Sequence, residues 1–220
     1  MKNTNLVEFE EDIWSTENSV DVLPYILVCK GGLETYIAAD DSNTIFVPLQ
    51  ATCICSSAFD AEYHLIEIYR NDEYFGKDFK YPDNIGTDGV EKIVLHKKVD
   101  AIEYDAFSGL KNLKVIEVEK GNPYFKGGDV LYATRKNNYA EFIWCSPLKT
   151  GDYVIAPWID SICDHAFENS MLNSVTFGED VYFGFEVFKN CPDITIKAPE
   201  GSSAIEYAKK NGLKFEEITY

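Results

Sequence analysis

The sequence predicts an α/β solenoid of stacked coils, with short parallel strands, short helical turns, hairpin insertions and a cap at each end. Two observations carry that reading. Four stretches share one shape, an apolar residue, three variable residues, a small apolar residue and a phenylalanine: Ile54 to Phe59, Ile102 to Phe107, Ile162 to Phe167 and Phe183 to Phe188. Such self-similarity marks a repeat architecture, because one unit cannot bury its apolar face alone and must stack on its neighbours. The frame around the phenylalanines repeats too: Leu113-x-x-Ile116-x-Val118 follows Phe107, and Leu172-x-x-Val175-x-Phe177 follows Phe167. Alternate apolar residues in these runs imply a short strand with one face in the core.

Residues 1–21 read as an N-terminal cap segment. Asn5 is expected to cap a short helix whose Leu6, Phe9 and Ile13 recur at helical spacing, with Glu8 in the capping-box position. The repeat domain follows over residues 22–220. Pro48, His96 and Pro157 mark the turn between strands, 11, 11 and 10 residues before Phe59, Phe107 and Phe167. Proline suits a strand end, where the ladder needs no donor. The phenylalanine marks are 48, 60 and 21 residues apart. The last interval is one plain coil, and the longer ones hold two or more coils with hairpin-like insertions at Asp72 to Gly89 and Asn122 to Tyr153. Insertions of this kind lie on one face of a solenoid. A C-terminal cap occupies about residues 199–220. There Ser203 and Glu206 form a second capping box, the helix runs through Tyr207 and Lys210, Asn211-Gly212 supplies a left-handed stop, and Phe215 and Ile218 continue as a last strand. The chain is counted as one domain, capped at both ends because an open stack would otherwise expose core.

Three features together resemble the BspA-like family of leucine-rich repeat proteins. They are the Ile-x3-Ala-Phe unit, the segment Asn122-Pro123-Tyr124-Phe125 followed by Val130-Leu131-Tyr132, and the ending Ala198-Pro199-Glu200-Gly201-Ser202-Ser203-Ala204-Ile205-Glu206-Tyr207-Ala208. The resemblance is specific from about residue 90 to the C-terminus. It implies a right-handed leucine-rich repeat solenoid. Display at a cell surface, with adhesion or carbohydrate binding there, is what the family implies if a leader has been removed. Residues 25–59 read as a worn copy of 131–167, with Lys30-Gly31 through Tyr36-Ile37 falling on Lys136-Asn137 through Phe142-Ile143.

Composition fits a folded, water-soluble class, with 45% hydrophobic and 14% aromatic residues. The balance of 37 acidic against 20 basic residues gives a net charge of −17. A chain this acidic repels phosphate backbones and anionic lipid surfaces, so neither nucleic-acid binding nor membrane insertion is expected. No apolar run approaches the ~20 residues of a membrane span. Glu8, Glu10, Glu11 and Asp12 stand where a signal peptide would carry its apolar region, so the sequence as it stands implies the cytoplasm.

No catalytic, metal or cofactor site is expected. Cys29, Cys53, Cys55, Cys145, Cys163 and Cys191 are too sparse for a disulfide scaffold and read as small buried hydrophobes. Cys53-x-Cys55 and Cys163-x-His165 are the close pairs, and neither has the C-x2-4-C spacing of structural zinc modules. His165 takes the position that Ser57, Asp105 and Glu186 hold in the other copies, which reads as a tolerant surface slot. The Cys163/His165 pair lacks an orienting third residue for nucleophilic catalysis, and none of the common catalytic motifs occurs.

A solenoid offers area instead. Counting two residues back from each turn marker gives Phe46, Val94 and Ile155, with Glu117 and Thr176 at the equivalent strand places. This column is expected to face outward and to bind a partner, since contiguous exposed apolar groups mark interaction sites. A slip of one residue would turn it into the core. The function expected is a non-catalytic protein-protein interaction module whose partner is a protein of unknown identity, with self-association as one form. Cell-surface adhesion or carbohydrate binding is the alternative, and an enzyme working through an insertion loop the third.

Overall fold

The computed structural model describes residues 5–9, 25–29, 32–37, 43–59, 89–134 and 138–219. The chain divides into two compact units, Met1–Asn112 with Glu119–Asn122, and Leu113–Val118 with Pro123–Tyr220. Both are built from the same coil.

In the first unit β1 (Asn5–Phe9) pairs in parallel with β2 (Tyr25–Cys29), which turns back antiparallel onto β3 (Gly32–Ile37). The helix expected at Asn5 is therefore a strand. So short a segment gains little from helical hydrogen bonds, whereas the register from Asn5↔Tyr25 to Phe9↔Cys29 supplies a whole ladder. Leu6 and Phe9 suit helical spacing, but Val7 and Phe9 suit period two equally well, and the available partner decides. Ile13 lies outside the described residues.

The next strands are β4 (Thr44–Phe46), β5 (Cys53–Ile54), β6 (Lys92–Leu95) and β7 (Ala101–Ile102). They give each coil two strands in two parallel ladders, β4 with β6 and β5 with both β3 and β7. Ile45 and Val47 are buried on either side of exposed Phe46, as period two requires. Val90, Ile93 and Leu95 are fully buried and repeat the strand cadence read at Leu113 and Leu172. After the isoleucine of each copy, Phe59 stacks on Phe107 with ring centroids 6.0 Å apart. Residues 72–88 of the first expected insertion lie outside the described residues.

The second unit contains β8 (Val115–Val118), β9 (Phe125–Lys126), β10 (Val130–Thr134), β11 (Ala140–Cys145), β12 (Thr150–Val154), β13 (Ser161–Ile162), β14 (Met171–Thr176), β15 (Tyr182–Phe183), β16 (Thr195–Pro199), α1 (Ser203–Asn211) and β17 (Lys214–Ile218). β9, β10 and β11 form an antiparallel meander. From β11 a parallel ladder runs to β13 and β15, while β12, β14, β16 and β17 form a second parallel ladder. The expected insertion at Asn122 to Tyr153 thus divides. β9 and β10 are the hairpin, and β11 and β12 belong to a regular coil. The arrangement β2, β3, β5 recurs as β10, β11, β13, so the likeness of 25–59 to 131–167 has a structural basis. Its alignment shifts, however: Leu33 pairs with Ile54 as Phe142 pairs with Ile162, so Leu33, not Tyr36, stands in the place of Phe142.

Packing in this unit is a ladder of rings. Phe142 stacks on Phe167 at 4.7 Å and Phe167 on Phe188 at 5.0 Å, and Phe183 stacks on Tyr207 of α1 at 4.5 Å. Each phenylalanine closes a turn, and that turn does not lengthen into a helix. Within these turns Ala58, Ser108, Ala166 and Lys189 donate N–H bonds to the carbonyls of Cys55, Asp105, Cys163 and Glu186. Ser57, Asp105, His165 and Glu186 all have positive φ, from 44° to 55°, and a left-handed residue interrupts helical propagation. Among the described residues α1 is the one helix.

The C-terminal cap is displaced by one residue from the sequence reading. Ser202 is the N-cap, its side chain accepting from the Ile205 N–H, and Gly212 at φ 67° ends the helix. Ser203 is occupied elsewhere: its hydroxyl accepts from the Val181 N–H at 3.1 Å, and its own N–H donates to Asp180 at 2.8 Å.

Candidate functional site

A parallel ladder turns every second side chain outward, so the register decides which residues form a row. In the first unit Phe46 pairs with Val94. Phe46 is 68% exposed and Val94 half-buried, so both face outward at adjacent positions. In the second unit Val154 pairs with Thr176, Thr176 with Lys197 and Lys197 with Glu216. That row begins apolar, with Val154 65% exposed, and ends in the Lys197–Glu216 ion pair at 3.5 Å. Glu117 on β8 is exposed and Thr176 half-buried.

Ile155 does not belong to the row. It is 4% exposed and packs in the core of the second unit, where its N–H donates to the Thr176 carbonyl at 2.9 Å. The cause of the slip is local. The turn after each strand begins where a carbonyl accepts from the residue three positions on, which is Pro48 from Ala51, His96 from Val99, but Ala156 from Ile159. Pro157 is the second residue of its turn, the place where its fixed φ fits best, and counting back from it lands one residue late. The outward residue is Val154.

A neighbouring row is polar and tied together. Asp152, Ser174, Thr195 and Lys214 stand in register, with the Ser174 hydroxyl donating to Asp152 at 2.7 Å and Lys214 bonded to Asp193 at 2.7 Å. The Lys214 ammonium holds the Asp193 carboxyl below its ordinary value. Aromatic side chains also reach the surface of this unit: Trp158, edge-on to Tyr132 at 4.7 Å, Tyr182 and Phe185.

In the second unit several groups capable of chemistry are held structurally. Burial pushes the Cys145 thiol up to about 12 and the Cys191 thiol up to about 11, so neither is a nucleophile at neutral pH. Cys191 Sγ donates to the Phe167 carbonyl at 3.0 Å. His165 lies edge-on to Phe185, and its Nδ1 is 3.8 Å from Glu168 Oε2 with no hydrogen bond. Burial raises the Tyr207 phenol, whose oxygen accepts from the Val187 N–H at 3.0 Å. In the first unit Cys53, Cys55 and Glu103 converge, a grouping that sequence reasoning missed because Glu103 comes from the next coil.

The coils, their two parallel ladders and the phenylalanine stack define a leucine-rich repeat protein. The profile of the BspA type leucine rich repeat region matches residues 85–128 and 133–209 in six copies. The chain belongs to that family. Among solved structures it is similar to a leucine rich cell surface protein from Faecalibacterium prausnitzii, at 22% identity and a TM-score of 0.49 over 75% of this chain and 43% of that one. It is also similar to a leucine-rich repeat protein from Eubacterium ventriosum, at 19% identity and a TM-score of 0.42 over 56% of this chain and 42% of that one. The chain thus spans less than half the length of either structure. No curated protein matches it. Among the described residues no helix is long and apolar enough to cross a membrane.

Proposed function

We propose that the chain is a non-catalytic protein-binding module that engages its partner through the outward rows of its parallel ladders. The observation that supports this most is Phe46 beside Val94, two apolar side chains at neighbouring outward positions of one ladder, because contiguous exposed apolar groups mark interaction sites. Val154 and Thr176 hold the corresponding positions in the second unit, with Glu117 also exposed there. The net charge of −17 favours a protein partner over nucleic acid or an anionic membrane, and a second copy of the chain is one form such a partner can take.

The test replaces the most exposed apolar outward residue of each unit, Phe46→Asp with Val154→Asp. The partner retained by the unaltered protein, or the self-association seen in sedimentation, should be lost, while unfolding free energy changes by about 0.5 kcal/mol or less, as for other exposed sites. Equal retention by both proteins would overturn the reading. Exposed Trp158, Tyr182 and Phe185 favour a second reading, adhesion or carbohydrate binding at a cell surface, since aromatic faces pack against sugar rings. Glycan binding that disappears on replacing Trp158 and Tyr182 with alanine, and survives the aspartate pair, would select it.

A further inference from the structure

We propose that Cys53, Cys55 and Glu103 form a binding site for a thiophilic divalent cation of the zinc type. The site is independent of the binding-face reading. The two cysteine Sγ atoms and a carboxylate oxygen of Glu103 all lie within 4.8 Å of one another. A tetrahedral zinc ion with Zn–S of ~2.3 Å and Zn–O of ~2.1 Å holds such donors about 3.6 to 3.8 Å apart, so side-chain rotation of about 1 Å closes the site.

Backbone geometry brings the three together. Cys53 and Cys55 are alternate residues across the end of β5, which places them on one side of the chain. The parallel register pairs Ile54 with Ile102, and the Glu103 N–H donates to the Ile54 carbonyl at 2.9 Å, which sets Glu103 beside Cys55 on the next coil. The Ser56 N–H then donates to Glu103 Oε2 at 2.9 Å. That bond orients the carboxylate from the protein side, as outer-shell donors do for metal-ligating carboxylates, and a carboxylate has acceptor capacity at both oxygens. The cysteines are half-buried and Glu103 is exposed, so an ion can reach the group from solvent.

Two thiolates make the site soft. They favour zinc and its analogues over magnesium or calcium, which want oxygen ligands alone. The thiols give up protons on binding, so affinity rises with pH. The long-range charge of the chain adds to the attraction.

The experiment titrates the reduced, full-length protein with cobalt(II) and then zinc(II). One equivalent of cobalt should bind with a thiolate-to-cobalt charge-transfer band, and zinc should displace it. Cys53→Ser with Cys55→Ser should abolish the band, and Cys163→Ser, the position of Cys55 in a later copy, should leave it unchanged. Glu103→Gln keeps an acceptor for the Ser56 N–H and should fold normally by circular dichroism, yet bind cobalt about tenfold or more weakly. Failure of the native protein to bind, retention of the band in the double serine variant, or undiminished affinity in Glu103→Gln would each overturn the proposal.

Discussion

At the scale of single residues, the position that looked like a permissive surface slot is a backbone requirement. Ser57, Asp105, His165 and Glu186 share little chemistry but share positive φ. For an L-residue that conformation costs about 1–2 kcal/mol relative to the right-handed region, and glycine escapes the penalty. Glu186 gains little in return, since its ion pair with Lys189 at 3.7 Å is exposed and such pairs contribute about 0–1 kcal/mol. Glu186→Gly should therefore raise stability in urea unfolding by about 0.5–1 kcal/mol, while Glu186→Val, whose branched Cβ tolerates positive φ worst, should lower it by at least about 1 kcal/mol. The sequence displayed the variability of this slot but not its cause, because four unlike side chains carry no common signal for φ. Gly184 was silent for a related reason. A Cβ there would collide with the Asp164 carboxylate and come within 2.6 Å of the Asp164 nitrogen, and that carboxylate is placed by accepting the Phe185 N–H at 2.7 Å, which no spacing rule foretells.

At the scale of elements, what repeats was legible and what pairs was not. The phenylalanine of each Ile-x3-Ala-Phe unit is buried at Phe59, Phe107, Phe167 and Phe188, since a ring of fixed size at a fixed point of the coil must meet its counterpart in the next. Phe167, with Phe142 on one side and Phe188 on the other, holds two stacks at once. Phe167→Ala should cost about 3–5 kcal/mol through lost transfer energy and the cavity left behind, read as a drop in the urea midpoint at unchanged slope. A loss below about 1 kcal/mol would mean that the ladder closes around the gap. By contrast, β1 was misread because its choice between helix and strand is made by β2, which begins sixteen residues beyond Phe9. Ile155 was misplaced because Pro157 occupies the second, not the first, residue of its turn. The first difference concerns a partner, of which an isolated stretch of sequence holds no record, and the second a turn whose start Pro157 does not mark.

At the scale of the whole molecule, the uneven spacing of the repeat marks gains a physical meaning from pairing. β5 pairs directly with β7 and β4 directly with β6, although Ile54 and Ile102 are 48 residues apart, so no further strand stands between these neighbouring coils. The excess lies between Phe59 and the buried Val90, an interval of 31 residues, where Phe107 and Leu113 at the same two places are separated by 6. The difference, 31 − 6 = 25, is the length by which this coil exceeds a plain one. Removing residues 63–87 deletes those 25 and leaves Val90 the sixth residue after Phe59. In the plain coils the second residue after the phenylalanine has positive φ at Gly109, Asn169 and Asn190, so the shortened chain should also carry Ala61→Gly. Closing a shorter loop changes the entropy cost by only about 1 kcal/mol or less per doubling of length, so the shortened protein should remain folded. Its cooperative unfolding transition and near-ultraviolet circular dichroism should match those of the full chain. A loss of cooperativity or of near-ultraviolet signal would show that residues 63–87 complete the coil instead of interrupting it, and that the direct pairing of β5 with β7 depends on them.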